Sequence, residues 1–250
     1  MPFTFAHPLY AGPLKLIFPR YLSLTGLILG SMSPDFEYFI ALEPYQLIGH
    51  SLAGLFLQAI PLSILLAFVF HHILKIPLVD HLPATAQIEN KARGLLRDWK
   101  LNSLRKWIVF LLSVIIGFYS HVLLDAFTHL SGWFVSRVGI LQSTIMNVPL
   151  YKILQHILSI AGLLTEGLLV LLLWKKAEPI NRPAGKPRSA KQSYWMVVGL
   201  VTVAAVIVKV TLTSSTNYIG ILVVSPISGF FVGLLAASIW VKRKVHKVNK

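Results

Sequence analysis

The stretch Trp107-Ile108-Val109-Phe110-Leu111-Leu112-Ser113-Val114-Ile115-Ile116-Gly117-Phe118-Tyr119-Ser120-His121-Val122-Leu123-Leu124-Asp125-Ala126-Phe127-Thr128-His129-Leu130 decides how this chain is read. It is long and apolar, and roughly 20 such residues cross a bilayer core of ~30 Å as a helix. Its C-terminal half carries His121, Asp125 and His129 at i, i+4 and i+8. On a helix these positions fall within roughly 80° of one another, so the three side chains form one polar stripe. Imidazole and carboxylate are ligands of zinc and other divalent transition metals. Ionisable groups in hydrocarbon are expensive and mark function by default. The plain alternative is a buried polar network joining helices.

The rest of the chain has the same character. Of 250 residues, 55% are hydrophobic and 13% charged, and the mean hydropathy is +0.70. That composition belongs to an integral membrane protein. The net charge of +14 does not point to nucleic acid, because the basic residues gather in short loops between apolar segments, the positive-inside pattern. No cysteine is present, which excludes a disulfide framework and a thiol nucleophile. Met1-Pro2-Phe3-Thr4-Phe5-Ala6-His7-Pro8 lacks the basic start and clean apolar core of a cleaved signal peptide, so it is expected to be retained.

Five spans are expected, at about Leu47–Leu74, Trp107–Leu130, Leu150–Trp174, Tyr194–Leu212 and Tyr218–Trp240. The basic segments Lys75–Lys106, Lys175–Ser193 and the tail from Lys242 then share one side, which should be the cytoplasm. The loop Ser131–Pro149 lies on the other side, the periplasmic face of a bacterial inner membrane. Pro2, Pro8, Pro13, Pro19 and Pro34 break residues 1–46 into short pieces. These form either an interfacial or re-entrant helical cap or one distorted crossing. The fold class is thus an all-α polytopic membrane bundle. It comprises a cap over 1–46, spans bearing a candidate metal site over 47–174, and a C-terminal hairpin over 194–241.

With that orientation, polar residues converge at one depth. His50 opens the first span, His121, Asp125 and His129 occupy the outer half of the second, and Gln155 and His156 start the third. Asp35 and Glu37 stand just before the first span, and His7 near the N-terminus. Five of nine histidines and three of nine acidic residues can therefore meet. A charge in hydrocarbon costs at least ~2.5 kcal/mol, so such a cluster needs mutual pairing or a cation. The expected ligands are His7, Asp35, His50, His121, Asp125 and His129. The expected ion is a divalent metal, zinc first, with manganese or magnesium as alternatives. Asp35 or Glu37 is the expected general base, and Gln155 or His156 the group that polarises a substrate oxygen. A Ser-His-Asp triad using Ser51 or Ser120 is a weaker rival, since neither serine sits in a nucleophile elbow. His71 and His72 are read as interfacial, His81 and His246 as basic-loop residues, and Glu166 as a separate helix–helix hydrogen bond.

The N-terminal motif through Pro8, Gly30-Ser31-Met32-Ser33-Pro34-Asp35-Phe36-Glu37-Tyr38, His50-Ser51-Leu52 and the segment Ser120 to Trp133 resemble an uncharacterised family of bacterial membrane proteins. That family is similar in turn to inner-membrane metal-dependent hydrolases linked to the DNA-damage repressor regulon. Shared are an N-terminal His, a Pro-Asp-x-(Asp/Glu) turn, a His-Ser pair and a His-x-x-x-Asp helix. Here Glu37 takes the second acidic place, and the basic residue often found before the His-Ser pair is missing from Tyr45–Gly49. His121-x-x-x-Asp125-x-x-x-His129 also faintly resembles zinc-dependent phospholipase C. The resemblance implies metal-dependent hydrolysis at the outer membrane face. The expected substrate is an amphiphilic phosphoester such as a phospholipid, with membrane lipids as surroundings and no nucleic-acid partner. The alternatives are a metal- or proton-coupled transporter and a non-catalytic structural membrane protein. A transporter needs a polar path to the cytoplasm, and apart from Glu166 and Lys209 the inner halves of the spans offer few polar groups.

Overall fold

The computed structural model describes residues 3–180 and 185–248. Met1 and Pro2 of the N-terminal motif, residues 181–184 of the second basic loop and the side chain of His246 lie outside the described residues. Among those described, five helices are long and apolar enough to cross a bilayer: Leu52–Asp80, Leu104–Thr128, Leu150–Lys176, Arg188–Leu212 and Tyr218–Lys244. The chain is an all-α polytopic helical bundle. Its strands are two residues each, Thr144–Ile145 paired antiparallel with Val148–Pro149. Met146 and Asn147 close this hairpin with φ of 52° and 65°, the left-handed pair that a two-residue turn requires. Large apolar side chains such as Leu164, Val170 and Leu171 are exposed along Leu150–Lys176, as acyl chains would cover them.

Helix ends follow local chemistry. Ser23, Ser51 and Ser103 cap three helices by accepting from the amides of Gly26, Gly54 and Lys106. Ser51 therefore starts the first span at Leu52, and His50 lies just outside it rather than within. That span passes through two wide π-helical turns, Leu55–Ala59 and Val69–Leu74. Each precedes a proline, Pro61 and Pro77, which offers no N–H to the carbonyl four residues back. The span reaches Asp80, six residues past the expected end.

Residues 3–46 form short helices, His7–Ala11, Leu14–Ile17, Leu24–Met32 and Phe36–Ala41, with 3₁₀ turns at Thr4–Ala6 and Ser33–Asp35. The longest has nine residues, about 13 Å at ~1.5 Å per residue, so none crosses a bilayer alone.

Two compact units are present, each built from three stretches of chain. The first comprises Met1–Phe36, Ile48–Ala67 and Lys100–Leu172. Here Leu24–Met32 lies directly on Leu104–Thr128. A Cβ at Gly26 would stand 2.7 Å from the Phe110 carbonyl oxygen, and one at Gly30 or Gly117 would overlap the backbone of the opposite helix. Gly26-x-x-x-Gly30 against Ser113-x-x-x-Gly117 is the small-residue pattern by which apolar helices approach closely. The Ser113 hydroxyl also accepts from the Ser23 amide at 2.7 Å.

The second unit comprises Glu37–Leu47, Phe68–Trp99 and Leu173–Lys250. Arg188–Leu212 and Tyr218–Val248 form its hairpin, with Leu74, Tyr194, Val198, Leu234 and Ala237 as core. Arg93 binds Asp80 at 2.7 Å and Glu89 at 2.9 Å, and Lys191 also pairs with Glu89. Burial alone would raise the Glu89 carboxyl, but these cations hold it below the usual carboxylate range. Lys209, inside the fourth span, pairs with Glu43 at 2.8 Å. His81 is not a solvated loop residue. It is buried, its Nδ1 lies 2.7 Å from the Pro77 carbonyl, and its ring stacks on Tyr194.

Candidate metal centre

Four segments of the first unit carry the polar cluster. Pro34 cannot extend the Leu24–Met32 helix with a backbone donor, so the chain tightens into the Ser33–Asp35 turn and buries Asp35. Gln58 Nε2 donates to the Ser33 carbonyl at 3.1 Å and fixes this turn. His50 is delivered by the capped start of Leu52–Asp80. There Gly54 permits the Ile48 carbonyl to come close, where a Cβ would overlap it. His7 begins its own helix and is fully buried. That N-terminal piece is pinned to Leu150–Lys176. Phe3 N–H donates to Ser159 Oγ at 3.0 Å, Tyr10 O–H to the Leu158 carbonyl at 2.7 Å, and Gly162 leaves room for Ala6.

His121 Nδ1–H donates to the Ser31 carbonyl at 2.7 Å. This bond fixes the tautomer, so the Nε2 lone pair faces the cluster, as outer-shell carbonyls do for metal-binding histidines. His121 Nε2 lies 3.2 Å from His50 Nε2, 3.3 Å from Asp125 Oδ2 and 3.6 Å from Asp35 Oδ1. His50 Nε2 lies 3.1 Å from Asp125 Oδ2 and 3.7 Å from Asp35 Oδ1. Four donor atoms about 2.0–2.1 Å from a tetrahedral ion are spaced by about 3.3 Å. These five separations bracket that value.

The other side of Asp125 is also crowded. Its Oδ1 lies 3.9 Å from His7 Nε2 and 3.5 Å from His129 Nδ1, and the His7 and His121 rings stack 3.6 Å apart. Two sets, His7–His121–Asp125 and Asp35–His50–His121, have ligand atoms within 4.8 Å of one another. One bare nitrogen serves one ion, so His121 Nε2 belongs to a single position and Asp125 is the residue able to bridge two.

Hydrogen bonding within the protein leaves part of this cluster unmatched. Thr4 Oγ1 donates to Asp35 Oδ2 at 2.6 Å. Asp35 Oδ1 and Asp125 Oδ1 are buried and receive no hydrogen bond among the described residues. Burial pushes the Asp35 carboxyl above its ordinary range, against the opposing pull of His121 and the Thr4 hydroxyl. A shared proton can serve the two facing imidazole nitrogens but leaves these oxygens bare. Two carboxylates and neutral imidazoles around one divalent cation balance in charge and give Asp35 Oδ1 a partner.

His129 departs from the expected stripe. The helix ends at Thr128, and His129 has extended backbone, φ −121° and ψ 144°. The chain folds back because the Phe134 amide takes the Ala126 carbonyl and the Gly132 amide takes that of His129. His129 Nδ1 sits 3.1 Å from the Asp125 carbonyl oxygen, and its buried Nε2 meets no hydrogen-bonding group among the described residues. Burial lowers the pKa of this imidazole despite nearby Asp125.

Three further expected residues have settings of their own. Glu37 accepts the Leu47 amide at 2.7 Å. His156 is exposed, while Gln155 is buried on the face shared with Ser159 and Gly162. The rival serines are engaged locally, Ser120 with the Gly117 carbonyl and Ser51 with that of Ile48. Glu166 has the Leu9 backbone beside it, and its Oε1 is buried with no hydrogen-bond partner among the described residues. Sequence reading missed Thr4 and the Ser31 carbonyl, although both stand inside the quoted motifs.

The family model for a domain of unknown function, DUF4184, matches residues 1–239. No curated protein and no solved structure matches the chain.

Proposed function

Because the chain belongs to the DUF4184 family, a domain of unknown function, the site itself has to carry the reading, and we propose that it is a metal-dependent hydrolase of phosphoesters at the membrane surface. The supporting observation is the convergence of His50 Nε2, His121 Nε2, Asp125 Oδ2 and Asp35 Oδ1, with five of their separations between 3.1 and 3.7 Å, beside buried carboxylate oxygens that receive no hydrogen bond among the described residues. Two imidazoles among the donors favour zinc over magnesium, which prefers oxygen. Asp125 Oδ1, turned toward His7, offers a second position. A divalent ion polarises a phosphoryl oxygen and lowers the pKa of water towards ~7.

The protein's own groups supply the remainder. Thr4 holds Asp35 by one oxygen and leaves the other for the ion. His129 is the general base in this reading. Its Nδ1–H donates to the Asp125 carbonyl, which leaves Nε2 bare to accept a proton. Glu37, occupied by the Leu47 amide, is not needed. His50 and His129 are the most exposed members, with side chains 16% and 27% accessible, so substrate approaches between them. His121 lies seven residues before Thr128, about 10 Å below the helix end at ~1.5 Å per residue. That depth suits an amphiphilic phosphoester in the headgroup region. Inner-membrane residence with the basic loops and C-terminus in the cytoplasm completes the proposal.

The test is metal content after purification without chelator. One or two equivalents of zinc are expected in the wild type and little in His121→Ala. Hydrolysis of bis(p-nitrophenyl) phosphate should stop with chelator and return with zinc. Wild-type protein without metal would sink the reading.

A further inference from the structure

The second unit contains a cavity of about 350 Å³ where three spans terminate: the end of Leu52–Asp80, the start of Arg188–Leu212 and the end of Tyr218–Lys244. We propose that this cavity binds one anionic phospholipid, its phosphate held by Lys186, Lys242 and Lys244 and the upper part of an acyl chain laid in the cavity. The site is separate from the metal centre and does not depend on it.

Two observations carry the assignment. The walls are largely apolar, with Ile76, Pro77, Ala190, Trp240 and Val241 among them. Four of these five belong to the first and last membrane spans, so a lipid tail reaches them from the bilayer. The charges, in contrast, are unbalanced. Asp80 is held by Arg93, and Glu89 by Arg93 and Lys191. Asp80, the acidic residue lining the cavity, is therefore already matched by a cation. Lys186, Lys242 and Lys244 form no ion pair with an acidic group among the described residues. Lys242 donates to the His72 carbonyl, and Lys244 lies over the Trp240 ring at 4.8 Å. These contacts aim ammonium groups without neutralising them.

An anionic headgroup on an apolar tail satisfies both features at once. A free anion gains nothing from the apolar walls, and a neutral lipid leaves the lysines without counter-charge. Trp240 sits at a span end, where indole rings mark the headgroup level. The alternation of five spans puts all three helix ends on the side of the basic loops, whose leaflet is rich in anionic lipid if it faces the cytoplasm. Each lysine at such a surface strengthens binding roughly fivefold.

Native mass spectrometry of the full chain, released from detergent containing equal phosphatidylglycerol and phosphatidylcholine, tests this. The wild type should retain one phosphatidylglycerol in preference to phosphatidylcholine. K242Q/K244Q should weaken retention about 25-fold, whereas R105Q/K106Q, with the same charge removed elsewhere, should retain it as the wild type does. Ala190→Trp fills the cavity and keeps every lysine, and it too should lose the lipid. Equal retention of the two lipids by the wild type overturns the proposal, as does full retention by K242Q/K244Q. Release of the lipid by millimolar inorganic phosphate, or undiminished retention by Ala190→Trp, would show a surface anion site in its place.

Discussion

Asp125 is the residue on which the candidate centre turns, because its two oxygens face different partners: Oδ2 meets His50 and His121, Oδ1 meets His7 and His129. Asp125→Asn keeps the shape and removes the charge that offsets a cation. If Asp125 is a ligand, bound zinc and hydrolysis should fall together while the chain inserts as before. If it only pairs with imidazoles, metal content stays and stability drops by about 1–3 kcal/mol, the range for a buried polar contact left partly unmade. Metal stoichiometry and melting temperature of the same variant separate the outcomes. His121 and Asp125 were legible at once, since an i, i+4 pair on an apolar helix has no innocuous place. Gln155 and His156 were not separable in that way. Only the contact face, shared by Gln155, Ser159 and Gly162 at i, i+4 and i+7, turns the first inward and the second out. Thr4 acts across 31 residues of sequence, and no local pattern announces such a partner.

Elements place these residues through one close packing, Leu24–Met32 on Leu104–Thr128. It brings the Ser31 carbonyl to His121 Nδ1, so helix separation and imidazole orientation are one variable. Gly30→Ala drives a methyl into the Val114 carbonyl and should destabilise the protein by about 1–3 kcal/mol, as overpacking does. It should also weaken metal binding, because the ring loses its fixed tautomer. Gly167→Ala, with nothing within 4 Å of the new Cβ, should be neutral or stabilising by about 0.5–1 kcal/mol through helix propensity. Thermal melting and zinc content of the two variants check both statements. A Gly30→Ala variant as stable and as metal-rich as the wild type would show that the helices do not rely on contact there. The five spans were readable from apolar length alone. Their ends were less so, because the ends depend on single capping groups such as Ser51 and on the fold-back at Gly132. The first span is accordingly shifted along the chain rather than lengthened, starting at Leu52 and ending at Asp80 where hydropathy implied Leu47 and Leu74.

For the whole molecule, the positive charge of the three basic segments predicts that they face the cytoplasm. The chain lacks cysteine, so single introduced thiols report this orientation cleanly. Ile140→Cys, exposed in the loop after the second span, should react with an impermeant maleimide in intact cells. Ser189→Cys should react only after the cells are opened. The reverse pattern would invert the molecule and place the candidate centre at the cytoplasmic face. Sequence alone could not show that the chain forms two units each assembled from three separated stretches, since hydropathy records spans and not their partners. The anchoring of Phe3 and Tyr10 to Ser159 and Leu158 has a consequence for biogenesis. A ribosome adding ~5–20 residues per second makes Ser159 roughly 8 to 30 s after His7. Throughout that delay the N-terminal histidine has no third span to hold it beside Asp125. The cluster is therefore completed late in synthesis, only after the chain has been made through the helix that holds its N-terminal segment.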